Sequence, residues 1–596
     1  MTEEMARALL DSLPNEVIIH ILHCCPYKTI FQFSFVGGQT CKRNHEIVAN
    51  SISLRLHIEL GVNGLEVIKP PTKNTNATSS SVLEELTRYR DAWLKPKFGI
   101  PMELLVGRPR VLCWELHGGA YFKAYSSFAP RDHPDSLQII PLDQLPPCPP
   151  ASFGTKFQKF TTDPGQDLVI LVAAIPERPS HVQLHIRSLT TGQPHPDAER
   201  PKLTVEFDFE VSVLANSTIC YTPEVIESTL AVRFDCEIRR IYEIVILDWK
   251  SGRFLHRISS RTGTCASRFI SPSHIAVFSA TLPVQGGSLL RDIVISIYDI
   301  TTPAQHDSQT GSNFCVHDCP ILEPAIIFKF PKLRNSHSVF SIALMGNSDP
   351  VPCRAIYTSS VSFAYSRNMT LGLRVSLFQH PTSQNHLGGI NAFRAFISMS
   401  CLLDHLARHR NFYGSPVVMS WDQWTEATRW FPEDEVDLSC SQMSGSRYIT
   451  VKRGPNNLPG HHYLVITDFN TPIVQRHQHP NHLSTPYLYK FAMEEDDAAL
   501  LNMNRPANNL RPPHSGDDLG EDNTIIIMTL GRDAPGIFDA GFKETIVSRL
   551  PCRIIIRTKL EVPHDGWLLD GNHIIGIKDY FGEHPCLSVY DLYMPS

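Results

Sequence analysis

The chain has 596 residues, 42% hydrophobic, 19% charged and 9% aromatic, and its 54 basic against 60 acidic side chains give a net charge of −6. This composition excludes a disordered or fibrous protein and leaves room for a large core. The mild negative charge, without any cluster of Lys and Arg, excludes bulk nucleic-acid binding, which needs concentrated cations against the phosphates.

The opening stretch MTEEMARALLDSLPNEV carries acids where a secretory signal needs positive charge. The longest apolar run, at 168–175, falls far short of the roughly 20 residues that span a bilayer, so no membrane segment is expected. Fifteen cysteines, an odd number without repeating spacing, predict reduced thiols and a cytoplasmic or nuclear protein. The sequons at Asn76, Asn216 and Asn368 are then chance matches.

A helical head comes first. Pro14 suits an opening helical turn, Glu16 complements the helix dipole, and Val17, Ile18, Ile21 and Leu22 form one apolar stripe before Pro26 ends the helix. Ile30, Phe31, Phe33, Phe35 and Val36 crowd a second helix with more apolar surface than it can bury on itself. After Gly37-Gly38, Thr40 is placed to cap a third helix with Cys41, Asn44, Ile47 and Val48 on one side. Next, 69–81 has linker composition. Ser81 and Glu84 then predict a capping box opening an amphipathic helix over 81–95, with Val82, Leu86, Tyr89 and Trp93 on one stripe.

The run Leu13-Pro14-x-Glu16-Val17-Ile18-x-x-Ile21-Leu22, the apolar stretch ending at Val36, and Cys41-Lys42-Arg43 together resemble the F-box, the motif that docks on the Skp adaptor of SCF ubiquitin ligases. Gly37–Thr40 lengthens the usual junction, and Asn44 stands where many F-boxes carry an aromatic residue. Ser53-Leu54-x-Leu56-x-Ile58-Glu59-Leu60, Gly64-Leu65 and the later Leu83, Leu86, Arg90, Ala92 and Trp93 are similar to the segment that follows the F-box in a large group of mushroom-type fungal proteins. The resemblance implies an F-box over 10–60, a linker and support helix over 61–100, and adaptor contacts from Leu13, Pro14, Ile18, Ile21, Leu22 and Val36.

From about residue 101 to 596 the pattern becomes short β-branched and aromatic runs divided by Pro, Gly, Asn and Asp, and 45 Pro against 33 Gly fits such a body. Several runs end in an Asp followed by an apolar residue, as at Asp248-Trp249, Asp299-Ile300, Asp468-Phe469 and Asp591-Leu592, with Arg187-Ser188-Leu189 a looser copy. Adding Trp114, Leu377 and Met528 as hidden copies gives strand ends at intervals typical of propeller blades. Ser273-His274-Ile275 and Asn572-His573-Ile574 repeat a polar turn before a strand. The expected fold is therefore α+β and multidomain: a small all-α F-box, then a large all-β body forming a seven- or eight-bladed β-propeller. One or two β-sandwiches are the competing fold.

No nucleophile elbow, P-loop or dinucleotide motif is present. The histidines at 461, 462, 477, 479 and 482 and the Cys315-x-His317-x-Cys319 run lack a second chelating half, so neither metal nor cofactor is expected. Trp421, Trp424, Arg429 and Trp430 suggest blade core, although a similar W–W–R–W stretch occurs in the same fungal group, and the acidic stretch 494–523 suggests a solvated loop. With these readings the chain is expected to be a non-catalytic substrate receptor, partnered by the Skp adaptor, a cullin scaffold and a protein substrate. The alternatives are a non-catalytic propeller scaffold whose F-box-like helices pack internally or bind a non-ubiquitin partner, and a propeller hydrolase with convergent groups at its centre.

Overall fold

The computed structural model describes residues 12–35, 42–68, 78–96, 99–128, 133–143, 148–207, 209, 219–236, 238–282, 289–301, 313–345, 352, 355–357, 361–366, 368–381, 388–409, 416–433, 442–453, 462–477, 525–538, 541–557, 564–579 and 585–592. The head contains α1 (Asn15–His23), α2 (Tyr27–Phe35), α3 (Lys42–Asn50), α4 (Ile52–Asn63) and α5 (Ser79–Leu94). Pro14 precedes α1 as its N-cap, where its missing N–H is no loss, and Pro26 separates α1 from α2. Ser51 caps α4 by accepting from the Leu54 amide. Gly64 ends that helix at φ 68°, a left-handed turn in which a Cβ would meet Asn368 at 2.4 Å.

The helix expected over 81–95 is Ser79–Leu94. Its cap is Thr78, which accepts from the Ser81 amide at 3.3 Å, so the Ser81/Glu84 capping box is not formed. The hydroxyl that can fold back on the first free amides lies three residues earlier than the sequence pattern placed it. Val82, Leu86, Tyr89 and Trp93 are all buried, as their spacing predicts. Thr40 and Cys41, the expected start of α3, lie outside the described residues, as do the linker 69–77 and the acidic stretch 494–523.

The body is mostly β. Seven sheets of four or five strands follow one another along the chain. Sheet 1 holds Cys113–His117, Ala120–Tyr125, Ser136–Pro141 and Ala151–Ser152; sheet 2 holds Lys159–Asp163, Leu168–Ala174, His181–Ser188 and Lys202–Glu206. Sheet 3 holds Cys220–Ile226, Thr229–Cys236, Ile241–Asp248 and Arg253–Ser260; sheet 4 holds Gly263–Ser271, His274–Thr281, Asp292–Asp299 and Ile326–Lys329. Sheet 5 holds His337–Leu344, Thr370–Gln379, Gly389–Ser398 and Thr428–Pro432; sheet 6 holds Gln442–Ser444, Arg447–Arg453, His462–Asp468 and Cys552–Arg557. Sheet 7 takes Gly566–Asp570, His573–Lys578 and Cys586–Asp591 from the end of the chain and Met102–Leu105 from before sheet 1.

Each sheet packs face to face on the next. Phe122 and Leu137 of sheet 1 meet Leu171 of sheet 2, Leu184 and Ile186 meet Val232 and Phe234 of sheet 3, and Ile244 and Ile246 meet Ile275 and Val277 of sheet 4. One large cluster carries the core on through Ile295, Leu373, Ile466 and Trp567 of sheets 4 to 7, and Phe396 stacks on Phe469 at 4.3 Å between sheets 5 and 6. Leu568 and Ile575 of sheet 7 then pack on Leu116 and Ile140 of sheet 1, closing the succession. This is a propeller-like arrangement and not the two facing layers of a sandwich.

The strand-end acids fall where a repeat requires them. Asp248, Asp299, Asp468 and Asp591 end the third strands of sheets 3, 4, 6 and 7, and Ser188 ends the third strand of sheet 2. The three hidden copies do not hold. Trp114 lies in a first strand and Leu377 in a second strand, while Met528 belongs to Ile525–Leu530, which pairs on the outer edge of sheet 6 and starts no new sheet. Sheets 2 and 4 gain a fifth strand in the same way, from Asn313–Cys315 and Val417–Met419. All three added strands come from insertions between a third and a fourth strand, so apolar runs there imitate blades in the sequence. Covering an outer edge also removes a row of unpaired backbone groups.

Candidate docking surface on the helical head

Helix α1 divides its apolar stripe between two duties. Ile18 and Leu22, 2% and 4% exposed, turn inward and pack with Ile30, Ile47, Val48, Leu54, Ile58 and Val62, joined by Ile473 from the body. Val17 and Ile21, 40% and 44% exposed, stand one turn apart along the outer margin of the same stripe. Pro14 is exposed beside them and Leu13 is half-buried. Of the expected anchors, then, Ile18 and Leu22 belong to the head's own core, because a stripe at i, i+1, i+4, i+5 is wider than one contact face. Leu13 is half-buried and packs against that core, while Pro14 and Ile21, joined by Val17, face outward; Val36 lies outside the described residues.

The approach to α1 is held in place. The Arg43 guanidinium of α3 donates to the Leu13 carbonyl and to Asn15 Oδ1, the latter at 3.0 Å, which fixes how Leu13 and Pro14 leave the helix. At the far end of α1, His23 and His57 of α4 meet edge-on at 5.6 Å, and His57 Nε2 pairs with the Cys25 carbonyl. Burial, then His57 and His20, hold the His23 pKa below the usual imidazole value.

The head is seated on the body beside sheets 5 and 6. Leu65–Val67 pairs antiparallel with Phe363–Tyr365, and Asn368 and Asn470 donate to the Gly61 and Asn63 carbonyls. Glu59 accepts from Arg90 of α5 at 3.0 Å and pairs at 2.8 Å with Arg476 of a short helix between the third and fourth strands of sheet 6. Arg447 of sheet 6 donates to the Tyr89 hydroxyl at 2.9 Å, lies 4.4 Å from the Trp93 ring centroid and pairs with Asp468 at 3.3 Å. Burial opposes its charge, yet Tyr89, Asp468 and Tyr365 outweigh that and leave its pKa raised. No sequence pattern marked these contacts.

The groups that suggested chemistry are arranged as structure. Ser271 Oγ lies 2.8 Å from His274 Nδ1, and His274 Nε2 lies 4.0 Å from Asp299, an order of side chains found in hydrolases. The same turn, however, is closed by Ser188, Thr190 and Asp167 in sheet 2, by Ser446 and Asp468 in sheet 6, and by Asn572 and Asp591 in sheet 7. A network repeated in four sheets is turn chemistry, with carboxylates capping free amides. Trp424, Arg429 and Trp430 are buried, and Arg429 donates to the Leu550, Ala534 and Gly531 carbonyls, which makes the aromatic patch core. Cys315 ends an edge strand, while His317 is exposed in the turn after it. Of the clustered histidines, 461, 479 and 482 lie outside the described residues. Among the described residues no three His, Cys, Asp or Glu side chains are grouped to hold a metal ion, and no helix is long and apolar enough to cross a membrane.

No protein-family model matches the chain, and no curated protein matches it. Among solved structures, the WD40 domain of SCAP from fission yeast is similar over 89% of this chain and 99% of its own, at 8% identity and a TM-score of 0.31. The Dos1 propeller is similar over 83% and 96%, at 7% identity and 0.32. The β-propeller domain of the Trilobed protease from Pyrococcus furiosus is similar over 62% and 82%, at 11% identity and 0.29. At such scores the reading of the body rests on its own strand order and packing.

Proposed function

We propose that the chain is the substrate-recognition subunit of an SCF-type ubiquitin ligase: the F-box-like head docks on the Skp adaptor, and a seven-bladed propeller binds a protein substrate. Seven consecutive sheets, the last completed by Met102–Leu105 from the start of the body, support that blade number. The observation that carries the docking reading is the ridge of Pro14, Val17 and Ile21, apolar and outward-facing on a helix whose inner side already has its own core. Such side chains gain little from water and can anchor a partner, where a few buried residues carry most of the binding energy.

The test is co-purification of the Skp adaptor with wild-type chain and with Val17→Asp/Ile21→Asp. Both positions face solvent, so the variant keeps its fold and loses the adaptor. Equal capture by the two proteins contradicts the docking reading. A second reading, a propeller scaffold whose helices serve the body alone, is favoured by the seating of α4 and α5 on sheets 5 and 6. It predicts no adaptor capture by the wild type at all.

A further inference from the structure

Four of the seven sheets share one position. The first residue of the second strand lies opposite the acid that ends the third: Thr229 opposite Asp248, His274 opposite Asp299, Arg447 opposite Asp468 and His573 opposite Asp591. In sheet 4 the imidazole stays with its own turn, held by Ser271 and facing Asp299. Sheet 7 keeps a histidine there, beside Asn572, which donates to Asp591 at 3.0 Å. Sheet 6 alone of the four places arginine at this position.

The arginine is longer than the histidine and carries its charge at the end of a flexible stem. It keeps the pairing with the strand-end acid and has reach left over. The surplus goes into the head: its guanidinium meets the Tyr89 hydroxyl and covers the ring faces of Trp93 and Tyr89, with centroids at 4.4 and 5.3 Å. Those two side chains are one turn apart on the buried stripe of α5. The Asp468 carboxylate is itself held, accepting from Ser446 Oγ at 2.7 Å and from the Asn470 amide at 2.9 Å, so the cation starts from a fixed counter-charge. Nearby, Arg553 of the same sheet donates to the Leu94 carbonyl at the end of α5.

We infer that Arg447 is a positioning residue: it converts the strand-pair position shared by sheets 3, 4, 6 and 7 into the seat of α5, and so sets the angle of the helical head on the body. The joint does not need the ligase reading. Only its consequence, a fixed offset between adaptor ridge and substrate face, rests on that reading.

The test is Arg447→His, which installs the residue that sheets 4 and 7 already carry at this position. Spin labels on exposed Cys24, just after α1, and exposed Cys220 of sheet 3, with the other accessible cysteines replaced by serine, report the head-to-body distance. The inference predicts a broadened distance distribution and about tenfold faster amide exchange in α5, with strand circular dichroism and adaptor capture unchanged. A distribution as narrow as wild type overturns it. Should Arg447→His fail to fold, Tyr89→Phe removes the hydroxyl from the helix side without touching the sheet. A smaller broadening supports the inference, and an unchanged width overturns it. Because adaptor capture is scored separately, loss of the ligase reading leaves the result on Arg447 intact.

Discussion

The head and the body bury their apolar surface on different terms. The body closes on itself: every sheet finds its partners in the sheets before and after it, and the seventh meets the first. The head does not. Its core of Ile18, Leu22, Ile30, Ile47, Val48, Leu54, Ile58 and Val62 is completed by Ile473, which lies between the third and fourth strands of sheet 6, and Trp93 of α5 is buried in the body's largest cluster. The comparison teaches that the two regions share their cores, since Val82, Leu86, Tyr89 and Trp93 of α5 complete the body's largest cluster as Ile473 completes the head's, and that an apolar residue of α1 serves either the fold or a partner.

The largest expected effect breaks the body's side of this comparison. Trp430, fully buried against Phe330 and Phe542, should cost about 3–5 kcal/mol when cut to alanine, read as an earlier urea midpoint for the strand signal. Next comes the head. Leu22→Ala should cost about 2–5 kcal/mol locally, seen as faster exchange in α1 to α4 with the strand transition in place. Its neighbour Ile21→Ala should change stability by under about 0.5 kcal/mol while weakening adaptor capture. Equal stability losses at 21 and 22 would erase the distinction between the two faces.

A third effect concerns the closure of the body. Lys123 of sheet 1 is fully buried and donates from Nζ to the Val106 and Gly107 carbonyls, just after the strand that completes sheet 7. Burial lowers its pKa from 10.5 to about 8. Between those values the unfolded chain binds more protons than the folded one, so stability should rise with pH across that window, by up to about 1.4 kcal/mol per pH unit. Lys123→Met should remove the rise. A denaturation series from pH 7 to pH 10.5 measures it. A local effect is expected at the cap of α5, where Thr78→Ala should cost about 1 kcal/mol, read as fraying of the first turn by amide exchange.

Much of this was legible in the residues and some was not, for identifiable reasons. The stripe Val82, Leu86, Tyr89, Trp93 declares itself by its helical period, and the strand-end acids at 248, 299, 468 and 591 by the apolar run before each and the apolar residue after it, both of which are local patterns. Met528 misled because a strand lent to an outer edge has the same composition as a strand that opens a sheet. On α1, periodicity grouped Ile18 with Ile21, and only packing separates them. Arg447 meets Tyr89 across 358 residues of sequence, beyond any spacing rule, although its place opposite Asp468, where sheets 4 and 7 carry histidine, is a local mark of its difference.

The most direct measurement is amide exchange of the chain with and without purified Skp adaptor, resolved to single helices. The account predicts protection concentrated in α1 around Val17 and Ile21, with the sheets of the body unaffected. Protection confined to the body, or none anywhere at saturating adaptor, would contradict it.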